Sequence, residues 1–270
     1  MRIVVKLAGA LFESEAALEN ASRQIAGLAQ DGVQLLVVHG GGRPFTALLE
    51  RLGLPSRFVR GLRVTDRPTR DAAVMVFAGL LSKRLAAAIS AAGAPAVGLC
   101  GADALLFRAE PMVVSGEEGT LGYVGYLAGV RTEVLERLWA AGLVPVAACL
   151  GVGEGGELYN INADHMAAAA AEYLGADQLI FLTDVAGVLD DGQVLPVVHY
   201  GQLDELVRTG KVRGGMALKL EACRRALDAG VREVCLVPGT VPGALLAAVQ
   251  GQPVAGTRIQ PEAASCASVR

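Results

Sequence analysis

The chain of 270 residues is 53% hydrophobic, 19% charged and 4% aromatic, carries a formal charge of −3 and contains 34 glycines. So much aliphatic material at so little net charge excludes disorder, and a pI near 5.7 leaves no electrostatic footprint for nucleic acid or an anionic membrane. The mean hydropathy of +0.44 raises the question of a membrane span, but the longest uncharged stretch, residues 234–257, is broken by Pro238, Pro242 and Pro253, whereas a spanning helix needs roughly 20 apolar residues in one run.

The first residues meet charge at Arg2 and Lys6, too soon for a signal peptide. In chain order, short apolar runs predict buried strands at residues 3–7, 34–38, 96–99, 143–148, 178–183 and 233–237. Helical patterns fall between them, at 14–30, 44–52, 67–92, 132–141, 164–174 and 216–229. Ser14 and Asp164 read as N-caps, and Gly32, Gly93, Gly142, Gly175 and Gly230 stand where C-terminal glycines belong. This alternation predicts a three-layer αβα sandwich with a mainly parallel central sheet. Residues 113–130, punctuated by glycines, read as hairpins over the sheet edge, with a second polar hairpin at 57–64. From Gln260 to Ser265 periodicity is lost, which predicts a loose tail over 260–270. Cys100, Cys149, Cys223, Cys235 and Cys266 are odd in number and scattered without a C-x-x-C pair. They read as reduced packing residues of a cytoplasmic protein.

Several segments carry chemistry. His39-Gly40-Gly41-Gly42 lies between a strand and a helix start, where backbone N–H groups and the helix dipole face an anion, although a tight turn alone also fits. Lys6-Leu7-Ala8-Gly9 brings a cation and a permissive backbone to the same edge of the sheet, where ligands of open α/β folds sit. Arg63, in Gly61-Leu62-Arg63-Val64-Thr65-Asp66, is suited to a carboxylate and equally to an ion pair with Asp66 or Asp71. Asn160, Asn162 and Asp164 crowd one helix entry, more than a single cap needs. Lys219 lies one turn inside a helix opened by Gly214 and Gly215, and Arg224 and Arg225 beyond it read as solvated. Gly151-Val152-Gly153-Glu154-Gly155-Gly156 fits the dinucleotide fingerprint in letters only, because no helix follows it directly. His39, His165 and His199 lack metal-ligand spacing, so no metal site is expected on side chains.

Taken in order, Lys6 to Gly9, His39 to Gly42, Gly61 to Asp66, Val97 to Leu99, Leu121 to Gly125, Tyr159 to Asp164, Thr183 to Leu189, Gly215 to Lys219 and Gly256 to Ile259 resemble the amino acid kinase family, and within it the acetylglutamate kinases. The resemblance implies ATP-dependent phosphorylation of the side-chain carboxylate of N-acetyl-L-glutamate in arginine biosynthesis, with Mg²⁺ bridging the ATP phosphates. It makes Lys6 and Lys219 the cations flanking the phosphoryl group, Asp164 the group that orients them, and Gly9, Gly41 and Gly42 its backbone donors. Arg63 would pair with the substrate α-carboxylate, with Asn160 and Asn162 beside it. Asp184, Val185, Ala186, Gly187, Val188 and Leu189, together with Lys211, Val212 and Arg213, would line the nucleotide pocket. An acyl-amino-acid-binding and dimerisation lobe over 1–177 and a nucleotide-binding lobe over 178–259 are implied, in a cytoplasmic homodimer without nucleic acid or membrane partners. A carboxylate needs no catalytic base, because it is ionised at neutral pH, so positioning and charge neutralisation carry such a transfer.

Two departures stand out. Ala8 replaces the first of two glycines usual in the family, which strains the loop if that position needs a positive φ. The strand carrying Lys6 begins at once, as in the unregulated homodimeric members rather than the arginine-inhibited hexameric ones. Alternatives are a kinase of the same fold acting on a carrier-linked or related acid of aminoadipate or glutamate type, and a non-catalytic amino-acid sensor. Retention of Lys6, Asp164 and Lys219 together speaks against the sensor.

Overall fold

The six apolar runs become six parallel strands of an eight-stranded sheet, whose spatial order is Val197–His199, Thr257–Gln260, Glu233–Pro238, Gln178–Thr183, Arg2–Leu7, Gln34–His39, Val144–Ala148 and Ala96–Leu99. The structure, a computed structural model, describes residues 1–113 and 121–261. Thr257–Gln260 runs antiparallel to Glu233–Pro238, and Val197–His199 follows it in parallel, so these two edge strands oppose the rest. Leu7 is in register with both His39 and Leu182, and Leu182 with Val237. The carboxyl ends of the four central strands therefore open on one edge, where the charged and glycine-rich segments follow.

Helices Glu15–Gln30, Ser82–Ala91 and Ala244–Val249 form one packed group, and Ala163–Leu174 with Gly215–Asp228 another that covers the Arg2–Leu7 and Glu233–Pro238 strands. Strand residues such as Val4, Val5, Leu36, Val37, Ile180 and Leu236 are fully buried, which is why these strands read as continuous apolar runs. The α/β architecture matches the expectation, and all five glycines expected past helix ends take a positive φ.

The expected helix over 67–92 is continuous but not uniform. Arg67–Val74 is α, Met75–Leu81 is π, and Ser82–Ala91 is α again, with the Asp66 side chain accepting from Thr69 N at the start. By length and composition this helix is apolar enough to cross a membrane, yet half of its apolar window is buried inside the protein, with Ala73, Phe77, Leu81, Leu85 and Ile89 in the core.

Elsewhere the structure departs from the sequence reading. The strand Val124–Val130 pairs antiparallel with the preceding strand Phe107–Pro111, but the two go on to join Leu150–Val152 and Leu158–Ile161 in a small closed barrel that the sequence reading did not include. Gly116 and Gly119 lie outside the described residues. Glu154–Gly156 is a single 3₁₀ turn between two antiparallel strands, which removes the dinucleotide reading. Asp164 is not the N-cap. Asn162 is, its Oδ1 accepting from the N–H of Asp164 and His165. The helices Tyr200–Arg208 and Ala244–Val249 were not foreseen. Gln260 still belongs to a strand, and the rest of the expected loose tail, from residue 262 on and including Cys266, lies outside the described residues.

Candidate active site

Because Asn162 takes over capping, the Asp164 carboxylate in the first turn of the helix is released to the strand ends. Lys6 Nζ lies 2.7 Å from Asp164 Oδ1, and Lys219 Nζ donates to Oδ1 and Oδ2 at 3.0 Å each. Lys6 is 9% and Lys219 8% exposed, so both ammonium groups are largely stripped of water. Burial alone would raise the Asp164 pKa. The Lys6 and Lys219 charges outweigh it and hold the carboxyl well below the usual carboxylate range. Burial, reinforced by repulsion from Lys6, pulls Lys219 below the ordinary lysine value, with Asp164 opposing. The Phe181 ring lies 4.7 Å from Lys219 Nζ. Two cations that share one carboxylate keep charge in reserve for an anionic group beside them.

Gly9 and Gly42 supply the wall next to Lys6. A Cβ on Gly9 would stand 2.7 Å from Gly42 Cα, and one on Gly41 would overlap the Phe77 ring, so the two loops touch only because these residues lack side chains. Ala8 causes no strain. Its φ is −69° and its N–H donates to Leu182 O at 2.8 Å, so it continues the sheet ladder and faces no ligand.

A cleft of about 260 Å³ brings Lys6, Gly9, Gly41, Gly42, Arg63, Asn160 and Asn162 together, seven of the nine residues expected at the catalytic and substrate sites. Asp164 and Lys219 join them through the ion pairs to Lys6 and Asp164. Arg63 makes neither of the ion pairs weighed for it; Asp66 caps a helix and Asp71 pairs with Arg70. Its guanidinium instead donates to Ser56 Oγ at 2.5 Å and Thr46 Oγ1 at 2.8 Å, and stacks near the Phe45 and Phe58 rings at 5.0 and 4.6 Å. With hydroxyls as its partners, the charge is left for an anion. Cys149 also lines the cleft, but burial pushes its thiol up to about 12 against the pull of Lys6, so it is no nucleophile at neutral pH.

The segments expected at the nucleotide sit apart from this cleft, beyond the end of the Gln178–Thr183 strand. Asp184, Val185, Ala186 and Leu189 are exposed, while Gly187 and Val188 are buried beneath them. Lys211 and Arg213 are exposed and Val212 is buried. Lys211 Nζ donates to Asp190 Oδ2 at 2.8 Å, which ties the two segments together. Val185 N donates to Thr183 Oγ1, Val188 N to Thr257 Oγ1 and Val212 N to Leu206 O, so these three N–H groups are already used. Arg224 and Arg225 form surface ion pairs with Asp204 and Glu172, in keeping with their solvated reading. Among the described residues no group of three or more His, Cys, Asp or Glu side chains is placed to hold a metal.

The sequence profile of the amino acid kinase family matches residues 1–238. The chain belongs to the amino acid kinase family. An acetylglutamate kinase from Koribacter versatilis is 47% identical over 260 residues, covering 96% of this chain and 98% of that protein, and one from Rubrobacter xylanophilus is 43% identical over 264 residues, covering 98% and 99%. Among solved structures, an N-acetylglutamate synthase from Neisseria gonorrhoeae in complex with coenzyme A and N-acetyl-glutamate superposes with a TM-score of 0.85 at 27% identity, over 97% of this chain and 60% of that one.

In this amino acid kinase, the sequence reading missed the apolar half of the cleft. Phe45, Phe58, Leu62, Phe77 and Val124 line it, and Phe45 and Phe77 meet edge to face with centroids 4.8 Å apart. In a chain with only 6 phenylalanines, Phe45 three residues past the glycine loop was a readable signal. Phe77 was not, because its direction depends on the π segment that interrupts its helix.

Proposed function

We propose that the protein transfers the γ-phosphoryl group of ATP to the side-chain carboxylate of N-acetyl-L-glutamate, giving ADP and N-acetyl-L-glutamyl 5-phosphate in arginine biosynthesis. The single observation that carries this reading is the buried Lys6–Asp164–Lys219 cluster at the mouth of a small cleft that also holds Arg63. A substrate carboxylate oxygen attacks the γ-phosphorus, and the bond to the β-phosphate oxygen breaks with its electron pair leaving on ADP. Lys6 and Lys219 neutralise the charge on the moving phosphoryl oxygens, and the backbone N–H groups of Gly9, Gly41 and Gly42 add to them. Asp164 holds the two ammonium groups in place. Arg63 takes the α-carboxylate, with Asn160 and Asn162 beside it, and the Phe45, Phe58 and Phe77 side receives the apolar acyl group.

The loops 184–189 and 211–213 hold the nucleotide, in a C-terminal lobe over 178–259 facing an acyl-amino-acid lobe over 1–177. Asp164 has both oxygens engaged by lysines, so the donor set fits a Mg²⁺ carried by the ATP phosphates rather than by a protein cage. Such an ion supplies charge neutralisation on the β- and γ-phosphates. A cleft of about 260 Å³ is at the small end for ligand sites and favours a free acyl amino acid over a carrier-linked one. Unpaired buried cysteines, Cys100, Cys149, Cys223 and Cys235, support a reducing, cytoplasmic setting. Exposed Met75 and Leu80 support a homodimer. The test is a panel of N-acetyl-L-glutamate, glutamate, aminoadipate and a carrier-linked glutamate, each supplied with ATP and Mg²⁺. Turnover of the first alone is expected, and turnover of the carrier-linked acid alone would replace it with the related-acid kinase.

A further inference from the structure

The two side chains assigned to the α-carbon end of the substrate, Arg63 and Asn160, come from segments nearly a hundred residues apart, and one hydroxyl joins them. Thr65 is fully buried. Its Oγ1 donates to the Arg63 carbonyl at 2.9 Å and accepts from Asn160 Nδ2 at 3.1 Å. The backbone around it is equally fixed: Thr65 N donates to Leu121 O at 3.0 Å, Tyr123 N to Thr65 O at 2.6 Å, and Asn160 N to Tyr123 O at 2.8 Å. Gly122, at φ +64°, permits this approach, because a Cβ there would overlap the Thr65 carbonyl.

A hydroxyl carries one proton, and a carbonyl can only accept. With that proton given to Arg63 O, Thr65 shows Asn160 a lone pair, so the NH₂ end of the carboxamide must face it. A flipped carboxamide would set Oδ1 against the lone pair, or take the proton away from the Arg63 carbonyl. The orientation therefore follows from hydrogen-bond bookkeeping, which is how amide orientations are settled. We propose that Thr65 is a positioning residue that fixes the polarity of the Asn160 carboxamide, leaving Oδ1 as the acceptor offered to the cleft. The cleft then selects an acid carrying an N–H donor next to its α-carboxylate, as the secondary amide of an N-acyl amino acid does. This inference rests on reading the cleft as the acyl-amino-acid site.

The test compares N-acetyl-L-glutamate with 2-acetoxyglutarate, the isostere in which oxygen replaces the amide N–H, in the wild type, Thr65→Val and Thr65→Ser. The wild type is expected to favour the amide by at least about tenfold in kcat/KM, since a site built around a hydrogen bond rejects the analogue lacking it. Thr65→Val, whose carboxamide is free to turn, shrinks that ratio by roughly fivefold through the amide's KM, the scale of one lost hydrogen bond. Thr65→Ser keeps the wild-type ratio. The ratio is independent of the fraction of protein folded, so equal losses on both compounds in Thr65→Val would mark a merely structural role and overturn the proposal. A wild type that turns over neither compound overturns the substrate reading, and this inference with it.

Discussion

Lys219 Nζ lies 3.0 Å from each oxygen of Asp164, although the two residues belong to different helices, Gly215–Asp228 and Ala163–Leu174. Lys6 reaches the same carboxylate from a strand end, so one buried anion holds two buried cations. The cluster makes sense as a unit that is incomplete until a second anion arrives. Without Asp164, two largely buried ammonium groups would face each other uncompensated.

Asp164→Asn should therefore act through the lysines. Burial and Lys6 already hold Lys219 below its ordinary value, and Asp164 is the main group opposing them. In the wild type, kcat is expected to fall on the alkaline side as Lys219 loses its proton, at a pH below that of a solvated lysine. In Asp164→Asn the limb moves to still lower pH, and kcat drops by orders of magnitude, since loss of one charge-stabilising contact amounts to about 2.7–4 kcal/mol. A pH–kcat series on both proteins checks this, and an unmoved limb would contradict it.

Arg63→Ala separates binding from chemistry. The guanidinium is anchored by Thr46 and Ser56 and flanked by Phe45 and Phe58, whose rings line the cleft. The KM for the acid should rise by at least about tenfold, the scale of a charge-assisted hydrogen bond, with the ATP KM unaltered. An effect confined to kcat would remove Arg63 from its assigned place.

Thr257 makes the corresponding test at the loop proposed to hold the nucleotide. Its buried hydroxyl accepts from Val188 N at 2.9 Å and donates to Leu195 O at 2.7 Å, pinning both ends of the 188–195 segment. Thr257→Val should raise the ATP KM several-fold while leaving the acid KM alone, with Thr257→Ser close to wild type; the expected scale is one or two hydrogen bonds. Initial-rate kinetics in both substrates decide it, and a parallel rise in both KM values would show general loosening.

His39 sets a pH dependence of stability. Burial pulls its imidazole from 6.5 down to about 4, with a hydrogen bond to Gly40 O opposing. The folded state thus holds the neutral ring, while the unfolded chain takes up a proton once the pH passes below 6.5. Its contribution is complete above pH 6.5 and is lost as the pH falls toward 4, by roughly 2 kcal/mol at pH 5. Urea midpoints from pH 7 to 5 should show this slope, reduced in His39→Gln; identical slopes would contradict the assignment.

The central sheet was legible because strands such as Arg2–Leu7 and Gln178–Thr183 are buried on both faces and read as plain apolar runs. The closed barrel was not, since strands like Leu150–Val152 are three residues long and broken by glycine. Thr257–Gln260 hid behind its polarity: Arg258 is buried in the strand, paired with Glu233 at 2.5 Å and donating to Gln252 O at 2.6 Å. In the site, the lysines, glycines and Arg63 stood out as residues that a plain turn or helix does not require. Asp164 reads as a cap in the sequence, and the structure gives that role to Asn162. Thr65 stood within the Gly61–Asp66 motif without a role of its own, because its part depends on which atoms two distant segments bring to one hydroxyl.

The most direct measurement of the central claim follows ADP and acyl phosphate together, with N-acetyl-L-glutamate, ATP and Mg²⁺ and with hydroxylamine as the trap. The account predicts equal amounts of ADP and hydroxamate from the wild type, and loss of both by orders of magnitude in Lys219→Ala. ADP formed without hydroxamate, or a Lys219→Ala enzyme as fast as the wild type, would contradict it.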